Sequence, residues 1–194
     1  MGMMVGLFLL AACAGGRVAR YYVLTPIDVG ALPHDPNGVA IRIGPVIIPQ
    51  YLDRQAVVTR TGSYRLDVAP DDEWGGALDG EVTRVLAENL SDMLLTDRVA
   101  MYPWTDAAAF GLQIAVEIVR FERTAGGPVT LSAFWRITDV ATMKIQTMRH
   151  SIIVKSIDAG AKGRDSYEAT VDLMSDALAS LSLEIADAID PLSR

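Results

Sequence analysis

The stretch that decides the fold runs from Ile43 to Arg60, IGPVIIPQYLDRQAVVTR. Ile41, Ile43 and Val46 to Ile48 are mostly β-branched, so it opens as a strand interrupted by Gly44-Pro45. Pro49 has no N–H to donate and ends the ladder. Tyr51-Leu52-Asp53-Arg54 then makes a short connection with an adjacent acid–base pair, and Ala56-Val57-Val58-Thr59 begins the next strand. The plain reading is two strands joined by an ordered corner, with Asp53 capping a turn and Arg54 solvated. The other reading is a docking surface: an ordered, partly apolar loop that presents Tyr51 and a fixed charge pair.

The flanking sequence continues in strands. Tyr21 to Thr25 is rich in aromatic and β-branched residues. Pro26 to Asn37 is broken by proline and glycine and reads as loop, with His34 solvated in it. Thr61-Gly62-Ser63 turns the second strand into Tyr64 to Ala69, where Tyr64, Leu66 and Val68 alternate with polar residues; this predicts a hairpin. Pro70-Asp71-Asp72-Glu73 reads as an exposed acidic loop. It lacks the oxygen-rich spacing of a cation loop, so no metal is expected there.

Two segments have helical period. In Ala77 to Thr96, Leu78, Val82, Val85, Leu86, Leu90, Met93 and Leu94 share one face. In the last segment, starting near Asp165, the stripe is Tyr167, Val171, Met174, Leu178, Leu181, Ile185 and Ile189. Asp165 and Glu168 have capping-box spacing. The stripe suits a core against a sheet, or a seam between subunits. Between the helices lie a short strand, Val99 to Tyr102, and a three-strand meander. Its strands are Leu112 to Arg123, Val129 to Ile137 and Lys144 to Lys155, the first turning at Thr124 to Pro128. Trp104, after Pro103, either plugs the edge of the core or anchors an interface. Together these elements predict a single α/β domain: a mixed β-sheet with two long amphipathic helices packed on it.

Composition sets the compartment. The chain is 51% hydrophobic with a mean hydropathy of +0.26, and Met1 to Ala12, MGMMVGLFLLAA, carries no charge. That run is too short to span a bilayer, which takes about 20 residues, and matches a signal-peptide apolar region, although no Lys or Arg precedes it. It ends Leu10-Ala11-Ala12-Cys13, a lipobox. Cys13 is the only cysteine, so no disulfide forms within one subunit. Its position after two alanines reads as an acylation site for diacylglyceryl and N-acyl lipid. Each buried CH₂ of such a chain contributes about 0.8 kcal/mol to membrane attachment. By the sorting rule of bacterial lipoproteins, Ala14 in place of Asp favours the outer membrane. The expected organisation is residues 1–12 as signal peptide, 13–20 as lipidated tether and 21–194 as one periplasmic domain.

The net charge is −7. An acidic chain of this kind does not suit sequence-independent nucleic-acid binding, nor broad adhesion to anionic headgroups. No catalytic motif stands out. The two histidines are far apart, and there is no CxxC, HExxH, phosphate loop or nucleophile elbow. The chain is expected to be non-catalytic, with no metal and no cofactor beyond the lipid on Cys13.

The corner's wording, IGPVxIPxYLDRxxxVxR, resembles the signature of the PqiC/YmbA-type lipoproteins, the auxiliary lipoprotein component of ABC-type, MCE-linked transport systems. Other pieces agree in order: Tyr21-Tyr22-Val23-Leu24, Trp74 and Leu78, Val85-Leu86-Ala87-Glu88-Asn89-Leu90, Tyr102-Pro103-Trp104, Phe121-Glu122 and Leu131-Ser132-Ala133-Phe134-Trp135. Gly75-Gly76 departs from the more rigid segment expected after the tryptophan. The resemblance implies a similar fold and a role in lipid transport. The partners would be a separate MCE-domain protein and its inner-membrane permease, with a ring-shaped homo-oligomer as an assembly that would suit a conduit end. Tyr51, Leu52, Asp53, Arg54, Trp74 and Trp104 are then the candidate contact residues. A lipid-binding module and a structural lipoprotein tethering the outer membrane are the alternatives; the first requires an apolar cavity.

Overall fold

A computed structural model describes residues 18–30, 32–104, 110–157 and 166–192. Cys13, the signal segment and Asp165 lie outside the described residues. The described residues form one mixed sheet of eight strands and two α-helices, the architecture that the sequence predicts.

The organising strand is β6 (Leu112–Thr124), thirteen residues long. On one side it pairs antiparallel with β7 (Val129–Asp139), which pairs antiparallel with β8 (Ile145–Lys155). On the other side two strands lie end to end. β2 (Ile41–Ile47) runs parallel to its first half, up to Ile47 opposite Glu117. β3 (Ala56–Arg60) runs parallel to its end, with Thr59 opposite Arg123. The Ile48–Gln55 corner therefore arches over the middle of β6. There the β6–β7 register shifts between Ile118 and Arg120, a bulge that bends a strand and turns its side chains.

β4 (Leu66–Trp74) pairs antiparallel with β3 and parallel with β1 (Arg20–Tyr22), and β5 (Val99–Met101) pairs parallel with β2. Helix α1 (Leu78–Met93) leads from β4 to β5, and α2 (Tyr167–Ile189) follows β8. The two helices contact each other and pack on the sheet. All of the α2 stripe from Val171 to Ile189 is buried with Leu86 and Leu90 of α1 and with Phe121, Leu131, Trp135 and Ile137 of the sheet. The stripe is thus core; truncating Leu178, which is fully buried, would cost about 2–5 kcal/mol.

Three expectations are corrected. Pro70-Asp71-Asp72-Glu73 is not an exposed loop but the second half of β4. Asp72 is buried because it accepts bonds of 2.8 Å from Arg20 Nη2 and from Tyr22 Oη. His34 is not freely solvated: its Nδ1 lies 2.7 Å from Asp97 and its Nε2 3.5 Å from Asp92, tying the early loop to the end of α1. The N-cap of α2 is Ser166, whose hydroxyl accepts from the Ala169 amide at 3.1 Å, as a capping serine does.

Candidate functional site

The corner is built from ordinary turns and then locked. Leu52 N–H donates to Pro49 O and Arg54 N–H to Leu52 O, each at 2.9 Å. These bonds fold the chain so that Leu52 points down into the core, where it is 3% exposed. Trp74 is 4% exposed, and its amide donates to Gln55 O at 2.6 Å, which fixes the corner's exit.

The lock is Glu122, fully buried on β6. Its Oε2 accepts from Tyr51 Oη at 2.7 Å. Its Oε1 accepts from Arg60 Nε at 2.7 Å and from Arg120 Nε at 2.8 Å. A carboxylate without water is tolerated only when paired and hydrogen-bonded, and here three side-chain donors from three segments converge on it, with the Phe121 amide as a fourth donor at 3.2 Å. The arrangement holds the protons firmly. Burial, then the bond to Glu122, pushes the Tyr51 phenol well above its ordinary value. The bond to Glu122 likewise raises Arg60.

What remains outside is small. Asp53, Arg54 and Gln55 are exposed. With exposed Tyr21, Trp74 and residues 75–78 they line a shallow cleft of about 370 Å³. Space at Gly75 is tight: a Cβ would stand 3.0 Å from Val23 Cγ1 and 3.4 Å from Tyr22 O, and its amide donates to Tyr22 O.

Trp104 belongs to a different place. Arg42 lies over its ring at 4.3 Å and Tyr102 meets it edge-on at 5.2 Å. Arg42 also donates to Gln113 Oε1 at 2.8 Å. Trp104 is half-buried at this end of β2 rather than part of the core. Of the six candidate contact residues, Asp53 and Arg54 stand at the surface and Tyr51 is partly exposed. Leu52 and Trp74 present almost nothing to a partner, because their side chains fill the core.

Sequence reasoning missed Glu122 as the hub, Arg60 and Arg120 as its partners, and Tyr21 as an exposed wall. An acid within an apolar strand next to Phe121 was the available signal. It also missed that Ser132 lies beside His150, with Oγ 2.9 Å from Nε2 and the imidazole stacked on Phe134. Among the described residues no carboxylate orients that imidazole, and the pair lies on an exposed sheet face.

A family model described as the ABC-type transport auxiliary lipoprotein component matches residues 22–186. The chain belongs to that family. It is 24% identical over 185 residues to the Escherichia coli intermembrane transport lipoprotein PqiC, covering 94% of this chain and 93% of that one. Two crystal structures share the fold. One is of a protein without assigned function (TM-score 0.71, 20% identity, 89% of this chain and 99% of that chain). The other is a Xanthomonas campestris protein (TM-score 0.67, 13% identity, 87% and 93%). The match spans the corner, Glu122, α1 and all of α2 but its last three residues, so the locked corner lies inside the matched region.

Proposed function

We propose that the chain is the lipid-anchored, non-catalytic docking component of an MCE-type ABC lipid-transport system, held at the outer membrane and facing the periplasm. Acyl chains on Cys13 supply the attachment. The Asp53-Arg54 corner, with Tyr21, supplies the contact for the MCE-domain protein, whose permease sits in the inner membrane. The observation that carries this reading is Glu122. A domain that binds three side-chain donors around a buried carboxylate holds its corner in one geometry before any partner arrives, and a preorganised loop loses less entropy on binding. Family membership supports the transport role, and the lipobox supports the anchor.

The test is recovery of the lipidated protein from native membranes in mild detergent. An MCE-domain protein is expected with it, and the exchange Asp53→Arg with Arg54→Glu is expected to lose that protein. Repeated recovery of the intact chain with no MCE partner overturns the reading. So does a Cys13→Ser variant that fractionates and functions as before.

A further inference from the structure

The charge of the chain is unevenly spread. Residues 129–155, the β7–β8 hairpin, carry Arg136, Lys144, Arg149 and Lys155 against one acid, Asp139, a balance of +3. With −7 overall, everything else sums to −10. Among the described residues none of these four cations is in an ion pair.

The same hairpin ends in an open edge. β8 pairs with β7 and, among the described residues, with no other strand, so one side of eleven residues has no ladder partner. Such an edge is a template for another strand. Cross-strand partners share a face, and the register sorts the side chains. Met148 opposes Arg136, His150 opposes Phe134, Ile152 opposes Ser132 and Val154 opposes Thr130; this is the open face. Arg149 opposes Trp135, Ile153 opposes Leu131 and Lys155 opposes Val129; this is the face toward α2. Met148, Ile152 and Val154 are all more than half exposed.

From this geometry we infer that β8 accepts an extended segment of a partner protein whose residues alternate apolar and acidic. Its apolar side chains extend the Met148–Ile152–Val154 face, and its carboxylates lie beside Arg149 and Lys155. The main chain supplies the ladder, and the alternation supplies selectivity. The charges select against a second copy of the same edge: two β8 strands side by side would set Arg149 and Lys155 of each against like charges, which is unfavourable. This inference goes beyond the docking reading, because β8 is a surface other than the Asp53-Arg54 corner.

The probe is a peptide of about ten residues alternating valine and glutamate, with a valine–lysine counterpart, added to the full-length protein in detergent. Hydrogen exchange is read along β8 and affinity by titration. The glutamate peptide is expected to slow exchange in β8, and the lysine peptide to leave it unchanged. In the Arg149→Glu, Lys155→Glu variant the glutamate peptide should bind at least ~10-fold more weakly and the lysine peptide should now bind, which also shows that the variant is folded. Equal binding of both peptides, or protection away from β8, overturns the inference. Protection of β8 by anionic phospholipid vesicles but not by peptide assigns the edge to a membrane, and protection that rises with protein concentration alone assigns it to a second copy; either overturns it. If the peptide fails while an MCE protein is still recovered through the corner, this inference falls alone. If the peptide binds and no MCE protein is recovered, the docking reading falls instead.

Discussion

Tyr51 Oη stands 2.7 Å from Glu122 Oε2 although 71 residues separate them in sequence. That bond ties the β2–β3 corner to the C-terminal end of the central strand, and Arg60 and Arg120 hold the other carboxylate oxygen. The corner is consequently part of the sheet's own polar accounting and not a loop laid over it.

Removing the hub should therefore cost more than removing any spoke. Glu122→Leu leaves two guanidinium groups and a phenol without their acceptor. Both arginines are partly exposed and can recover water, so the expected loss is about 3 kcal/mol, the lower end for breaking a buried pair. Tyr51→Phe removes one bond to a charged acceptor and should cost about 1–2 kcal/mol. Urea denaturation of the three proteins checks the order. Equal stability of Glu122→Leu and wild type would mean that the hub contributes nothing.

The phenol also gives the protein an alkaline limit. Burial and the bond to Glu122 raise the folded-state pKa of Tyr51 above its unfolded value near 10. The sign follows: the contribution is fully present below pH about 10, and is lost as pH rises toward the folded-state value, because the unfolded chain releases this proton first. Wild type should lose stability more steeply than Tyr51→Phe above pH about 10. Parallel stability curves for the two proteins through that range would contradict the assignment.

The sequence makes the elements legible and hides their polar ties. Periodicity locates both helices, because Leu86 and Leu178 lie on faces that only a core can cover. The hairpin β3–β4 follows from Gly62 between alternating strands. Asp72 is hidden because Pro70-Asp71-Asp72-Glu73 has the composition of a loop. Its partners, Arg20 and Tyr22, stand 52 and 50 residues earlier in the chain, and no local pattern announces them. The alternation of Asp72 with Trp74, both buried, was the only local trace. Asn89 shows the same limit. It resembles a wet position in α1, yet it is fully buried, accepts from Ile27 N–H at 2.8 Å and donates to Ser182 at 3.1 Å. Sequence reads surfaces by composition, whereas long-range bonds decide which polar residues go inside.

Two glycines separate steric necessity from backbone preference. Gly44 has φ of +115°, and a Cβ there would stand 2.5 Å from Tyr102 Cβ. Gly62 has φ of +86° with open space around it. Gly44→Ala must shift Tyr102 and strain its own backbone, for an expected loss of about 3–5 kcal/mol. Gly62→Ala bears only the backbone term, about 1–2 kcal/mol. Thermal unfolding distinguishes them; a Gly44→Ala protein no less stable than Gly62→Ala would place Tyr102 elsewhere.

The corner finally allows stability and recognition to be separated. Asp53 and Arg54 are exposed and make no ion pair among the described residues, so exchanging their charges conserves net charge and should move stability by no more than about 0.5 kcal/mol. Leu52, one residue away, points into the core, and Leu52→Ala should cost about 2–5 kcal/mol. If the corner is the contact, the charge exchange should abolish recovery of the MCE-domain protein from a fully stable chain. A partner retained by the exchanged protein and lost only by Leu52→Ala would mean that the corner matters through folding, and the contact would have to be sought on another face.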